Sequence, residues 1–319
     1  MPVTVIFGGS GFIGCHLANE LARAGETVVL ADLEPPRLPV PPDVTFVRRD
    51  VREPIGRIDG VERPDLVVNL AAVHRTPGHE DHEYHDTNEN GARNVTAYCE
   101  EEGVARLWFT SSIAVYGPGE EPKDEDSELT PVSAYGKSKV RAEEIHAEWA
   151  RRAEGRRLVV VRPATVFGPG EGGNFTRLAK SLRTRTFVYP GRRETRKACG
   201  YVDDLAGSLL YMEQFADPVV TYNFGYPTPP TTEEIVEAFR RVGGFGRPVG
   251  TVPLGPILVV AKGLHRAGLK TFDPARVVKL VHSTNIVPKQ LVERRYSYRT
   301  NLDTALERWY REDPDGAFV

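Results

Sequence analysis

The chain has 319 residues, 40% hydrophobic and 27% charged, a balance that excludes wholesale disorder or a fibrous repeat and leaves room for about two domains. With 41 basic against 44 acidic residues the net charge is −3, so no global electrostatic reason exists to expect a nucleic-acid or membrane partner. Cys15, Cys99 and Cys199 are odd in number and far apart, which disfavours a disulfide framework and a cysteine zinc site.

The N-terminus enters a glycine loop at once, without a basic leader or cleavable apolar segment. The apolar run Leu254 to Ala261 is broken by Gly255 and Pro256 and falls well short of the roughly 20 residues needed to cross a bilayer. A soluble, cytoplasmic, reduced protein is the expectation.

In chain order, the apolar and β-branched runs predict strands at Val3–Phe7, Thr27–Ala31, Val44–Val47, Leu66–Leu70, Leu107–Thr110 and Leu158–Val161. Helical periodicity predicts helices at Phe12–Ala24, 81–102 and 134–153. Alternating β and α segments with continuously apolar strands mean a parallel sheet covered on both faces. After Arg162-Pro163 the pattern loosens into helices expected at Asn174–Arg183, Thr231–Val242, Pro274–Val281 and Asn301–Tyr310, while Tyr201–Met212 and Val219–Phe224 again read as sheet-and-helix material. The fold class expected is α/β, a Rossmann-type doubly wound sheet with a smaller, mostly helical C-terminal substrate domain. The cofactor domain would be residues 1–165 with return segments in 199–226, and the substrate domain 166–198 and 227–319.

Gly9-Ser10-Gly11-Phe12-Ile13-Gly14 fits G-x-G-x-x-G, extended by Gly8, and sits between the first strand and the first helix. Small residues there let the backbone approach a pyrophosphate at a helix N-terminus. Asp32 ends the second strand and is followed by Leu33, not Arg; a carboxylate accepts from a ribose 2′-hydroxyl and repels a 2′-phosphate, so NAD is favoured over NADP. Asp50, before Val51, is a candidate to face the adenine. Tyr135 and Lys139 are at i and i+4 on one helix face. A lysine ammonium together with the positive nicotinamide of bound NAD would favour the phenolate, lowering its pKa toward that of a usable base, and Ser112 could hold a reacting hydroxyl in line.

These motifs, with Asn69-Leu70-Ala71-Ala72, Thr110-Ser111-Ser112 and Arg162-Pro163 in the same order, strongly resemble the extended short-chain dehydrogenase/reductases of the NAD-dependent epimerase/dehydratase family. The resemblance implies Tyr135 as base, Lys139 as its partner and a ribose ligand, Ser112 as the orienting hydroxyl, and Asn88 as a structural brace. It places Leu70, Ala71, Ala72, His74, Pro163 and Val166 against NAD, with Thr165, Asn174, Phe175, Val188, Tyr189, Arg196 and Lys197 around a nucleotide-sugar. Ile113-Ala114 stand where the family's 4,6-dehydratases carry an Asp-Glu pair, which argues against water elimination. Thr165 replaces a frequent sugar-binding asparagine.

The function so implied is a nucleotide-sugar epimerase acting at C4 through a transient keto-sugar. A keto-sugar reductase, dehydrogenase or decarboxylase on the same scaffold and a non-catalytic NAD(H)-sensing protein are the alternatives. A homodimer through helices 81–102 and 134–153 is implied by resemblance alone. His74, His79, His82 and His85 read as a solvated helix start with no metal, Glu120–Glu128 as an exposed loop, and Ile257–Leu269 as an amphipathic segment packed inside the small domain.

Overall fold

The computed structural model describes residues 1–74, 78–248, 250–266, 278, 281–313 and 315–319. Seven parallel strands form one sheet: β1 Val3–Phe7, β2 Thr27–Asp32, β3 Thr45–Arg48, β4 Leu66–Asn69, β5 Arg106–Thr110, β7 Arg157–Pro163 and β11 Val219–Phe224. Their spatial order is β11-β7-β5-β4-β1-β2-β3, so the direction of winding reverses between β1 and β4. Every pairing in this sheet is parallel. Burial on both faces of the inner strands β1, β4, β5 and β7 explains their uninterrupted apolar runs, whereas β3 at the edge is half-buried to exposed. The strand Val219–Phe224 joins the far edge against Arg157–Pro163 after an excursion of more than fifty residues.

Two cores flank the sheet. One packs Phe7, Val67, Val95, Tyr98, Phe109 and Trp149; the other packs Ile6, Leu17, Leu21, Val68, Leu205 and Leu209. The helices supplying them are α1 Phe12–Arg23, α3 Gly91–Glu101, α4 Ala134–Arg151 and α6 Val202–Met212. A third core, around Phe167, Phe175, Phe239, Leu306 and Trp309, joins α5 Asn174–Arg183, α7 Thr232–Gly243 and the closing helix Leu302–Glu312. Short two-stranded pairs tie this half together: β8 Thr165–Phe167 with β10 Cys199–Tyr201, and β9 Tyr189–Pro190 with β12 Thr251–Val252.

Most expected elements are displaced by a residue or two at their ends, as fraying caps allow. Three expectations need correction. The single helix over 81–102 is α2 Asp81–Tyr84, a π-helical turn His85–Asn90 and α3; the extra residue per turn coincides with Asn88 bonding inward to Ser138 and Val73. The acidic stretch Glu120–Glu128 is not a free loop. Gly119–Lys123 is strand β6, paired with β13 Thr284–Ile286. Glu125 meanwhile accepts from the backbone N–H groups of Asn223, Lys289 and Gln290 at 2.8, 3.1 and 3.0 Å for Asn223, Gln290 and Lys289 respectively. The amphipathic segment expected to be packed inside the small domain forms α8 Leu254–Arg266, in which Ala261 is the one buried residue; residues 267–269 lie outside the described chain, as does most of the helix expected at Pro274–Val281.

Candidate active site

The loops after β1, β4, β5 and β7 all leave the carboxyl edge of the sheet, and strand order reverses between β1 and β4, the place where open α/β sheets bind ligands. The glycine turn, Leu70–Ala72 and Ser112 fall on the loops after β1, β4 and β5, while Asp32 ends β2 and Tyr135 and Lys139 lie on α4. Gly8 has φ +74°, a conformation that favours glycine, and a Cβ there would meet the Ala71 nitrogen at 2.5 Å. A Cβ on Gly14 would lie 2.4 Å from the Gly9 carbonyl oxygen, so helix α1 presses directly on the turn before it. Gly11 caps α1 without a side-chain hydrogen bond, which leaves the first N–H groups of the helix open to an anion. Asp32 is half-buried at the end of β2, where its carboxylate accepts from Ser10 N at 3.0 Å and Leu33 N at 2.7 Å. Close glycine backbone, an uncapped helix start and a carboxylate at the second strand end fit a dinucleotide.

The other cofactor candidates divide. Leu70, Ala71 and Ala72 follow β4, held by Leu70 N to Phe7 O and by Ala71 N to the Asn69 amide oxygen. Phe12 and Ile13 open α1 and are half-buried. Asp50 is tied to Arg52 by a forked ion pair with a shortest contact of 2.6 Å, which holds its carboxyl below the usual range. Val51 is buried and its carbonyl accepts from Asn94. His74 is exposed, and Pro163 is buried while Val166 is half-buried beside it.

Ser133 caps α4, its hydroxyl accepting from Gly136 N, and the helix then carries Tyr135, Lys139 and Glu143 down one side. Burial pushes the Tyr135 phenol pKa up to about 12, and the neighbouring Ser112 hydroxyl pulls the other way. Ser112 is itself pinned as the cap of the turn Ile113–Tyr116, its oxygen accepting from Ala114 N. Lys139 is 2% exposed; its Nζ donates to the Thr110 carbonyl at 2.8 Å and lies 4.8 Å from the centre of the Phe109 ring. Burial pulls its pKa down to about 7, against a smaller upward pull from Glu143. In the protein without its cofactor, burial thus disfavours charge on both groups, and the phenol is protonated at neutral pH.

Beneath this pair lies a network that sequence reading missed. Glu143 accepts a two-pronged contact from Arg162, Nε at 2.9 Å and Nη2 at 2.7 Å, and also the Ser111 hydroxyl. Arg162 Nη1 donates to the Tyr116 hydroxyl at 2.7 Å, which in turn donates to the Asn223 side chain at 2.8 Å. One turn further along α4, His146 stacks on Phe109 at 4.1 Å and meets the Asn69 amide at 3.1 Å. Burial pulls the His146 pKa down to about 4. It is therefore neutral, and its Nδ1–H donates to Ala142 O at 2.6 Å. The available signal was the four-residue step from Lys139 to Glu143, which puts both on one helix face.

The candidate substrate residues also divide. Phe175 is buried, stacked on Phe167 at 4.3 Å, and Tyr189 is buried in the same core. Asn174 is exposed and bonds Arg177; Val188 and Thr165 are half-buried. Arg196 donates to Pro229 O at 2.8 Å, and the Lys197 ammonium to His282 O at 2.6 Å. Burial pulls Lys197 down to about 8. Arg192, absent from the candidates, joins them through Glu120 and Ser283. His79, His82 and His85 each pair with a glutamate, and no group of three or more ligating side chains is placed for a metal among the described residues.

Comparison with known proteins agrees with this architecture. Residues 4–225 match the model of the NAD dependent epimerase/dehydratase family. The chain is 33% identical over 222 residues, 69% of its length, to N-acetyl-alpha-D-glucosaminyl-diphospho-ditrans,octacis-undecaprenol 4-epimerase of Escherichia coli O157:H7, and 33% identical over 181 residues to UDP-glucose 4-epimerase of Lactobacillus helveticus. The matches span 66% and 54% of those relatives' lengths. Among solved structures, MoeE5 in complex with UDP-glucuronic acid and NAD superposes with a TM-score of 0.75 at 25% identity, covering 97% of this chain and 99% of that one. UDP-glucose 4-epimerase of Thermotoga maritima reaches 0.77 at 21% identity, covering 97% and 99%, and supports the fold. With its family signature spread over the sheet and the loops at its carboxyl edge, the chain belongs to the NAD-dependent epimerase/dehydratase family.

Proposed function

We propose that this enzyme inverts C4 of a sugar carried on a diphosphate, with a nucleotide-sugar as substrate and NAD retained between turnovers. The observation that carries the reading is the placement of Tyr135 beside the Ser112 hydroxyl, with Ile113 and Ala114 as the two residues that follow Ser112. Epimerisation through a ketone needs one group that removes a proton from a hydroxyl and returns it. Water elimination needs a further acid and base, which Ile113 and Ala114 do not supply. The 4-epimerases among the similar proteins support the same reading.

Gly8, Gly11 and Gly14 would let the pyrophosphate of NAD reach the backbone, with Phe12 and Ile13 opening the helix beneath it and Asp32 taking the ribose hydroxyls. When bound, NAD supplies a hydride acceptor and a positive charge. Tyr135 needs such a charge, because burial alone holds its proton. Ser112 orients the C4 hydroxyl toward Tyr135, which takes its proton and later gives it back. Lys139, anchored on Thr110, fixes the spacing of helix α4 from β5. Arg196, Lys197 and Arg192 are the cations available for the diphosphate. That group is common to UDP-sugars and to the lipid-linked sugar named for the Escherichia coli relative. The implied homodimer through α3 and α4 would pair a polar surface, because Lys137, Arg141, Glu144, Glu148 and Arg151 are the exposed positions of α4.

The test is C4 epimerisation of UDP-glucose and UDP-N-acetylglucosamine without added reductant. Tyr135→Phe is expected to lower kcat by about 10²–10⁴-fold with NAD content unchanged. Full activity in Tyr135→Phe would remove Tyr135 as the base.

A further inference from the structure

Helix α8, Leu254–Arg266, departs from the pattern of the other surface helices in this half of the molecule. Thr232–Gly243 buries Ile235, Val236 and Phe239, and Leu302–Glu312 buries Leu306 and Trp309, while both expose charged side chains. In α8 the buried residue is Ala261, whereas Val259 and Val260 are 71% and 61% exposed. At about 100° per residue, Pro256, Val259 and Gly263 lie opposite Ala261, with Val260 on one flank of that side and Lys262 and Arg266 on the other. No acidic residue occurs in the helix.

Its charge is as unusual as its face. Among its thirteen residues the charged side chains are Lys262 and Arg266, both exposed, in a chain whose net charge is −3. Thirteen residues rise about 20 Å, too little to cross a hydrocarbon layer of about 30 Å. Among the described residues, no helix is long and apolar enough to span a membrane. A short helix with an outward apolar face and flanking cations is suited to lie in the plane of a bilayer surface.

We propose that α8 docks the enzyme reversibly on an anionic bilayer, Val259 and Val260 entering the interface and Lys262 and Arg266 meeting lipid phosphates. Charge complementarity selects the bilayer over a protein partner. Two valines offer too little apolar surface for a stable protein interface, but suffice with the flanking cations for weak membrane attachment. The position suits an active-site role. Thr251–Val252, directly before α8, pairs with Tyr189–Pro190, and Arg193 Nε bonds Thr251 at 3.0 Å. Docking would therefore turn the edge bearing Arg192 and Arg193 toward the membrane. This inference does not depend on which sugar carbon the enzyme alters.

The test is sedimentation of the full chain with vesicles of phosphatidylglycerol and phosphatidylethanolamine, and with phosphatidylcholine alone. Binding to the anionic vesicles, weakened by salt, is expected. V259D/V260D should lower the bound fraction by about tenfold or more, and K262E/R266E should abolish the preference for anionic lipid. NAD content and the thermal transition check that both variants fold. Absence of binding to either vesicle, or equal binding by V259D/V260D, overturns the proposal. So does a dimer that V259D/V260D dissociates, which would assign the face to a second copy of the chain.

Discussion

Lys139 carries an amino group into the protein interior, between the Phe109 ring and the Thr110 carbonyl, and burial pulls its pKa from the usual 10.5 down to about 7. The sign of the resulting pH dependence follows directly. Between about 7 and 10.5 the unfolded chain binds a proton at this lysine that the folded chain does not, so its contribution to stability rises with pH. The stability difference between wild type and Lys139→Met should shift in the wild type's favour across that window. The slope should approach about 1.4 kcal/mol per pH unit, measured by urea unfolding of the cofactor-free protein. A flat difference would mean that Lys139 stays charged. Tyr135, Lys139 and the glycines were legible because each motif is local: a four-residue step marks a helix face, and a glycine turn between strand and helix marks an anion cradle. Arg162 and Glu143 were not, since their partnership spans 19 residues and two elements, and sequence alone leaves most charges looking solvated.

At the scale of elements, Glu125 fastens three segments that are distant in the chain. Its carboxylate collects the backbone N–H groups of Asn223, at the end of β11, and of Lys289 and Gln290, at the start of the helix Lys289–Glu293. Burial raises its pKa, while those hydrogen bonds oppose the rise. Glu125→Ala leaves buried donors without an acceptor and should cost about 3 kcal/mol. A fall in urea midpoint, with new proteolytic cleavage near residue 289, is the expected result; an unchanged midpoint would show that water replaces the carboxylate. The inner strands of the large sheet were predictable because burial on both faces leaves a continuous apolar run. Strands β6 and β13 were not. Gly119–Lys123 reads Gly-Glu-Glu-Pro-Lys, and its pairing is set by Glu120 contacts to Ser283 and Arg192 rather than by hydrophobicity.

For the whole molecule, the glycine turn after β1, the segment after β4 and Ser112 after β5 lie at the carboxyl edge of the large sheet, with Tyr135 and Lys139 on α4 beside them. The central claim is that the hydrogen on the reacting carbon leaves and returns within this closed site while Tyr135 moves only the hydroxyl proton. UDP-glucose deuterated at C4, incubated with the purified enzyme in ordinary water and followed by NMR, tests it most directly. The product epimer should retain deuterium at C4, with no solvent hydrogen incorporated there. Loss of the label to water would contradict hydride return and require deprotonation at carbon, for which neither Tyr135 nor its neighbours are arranged.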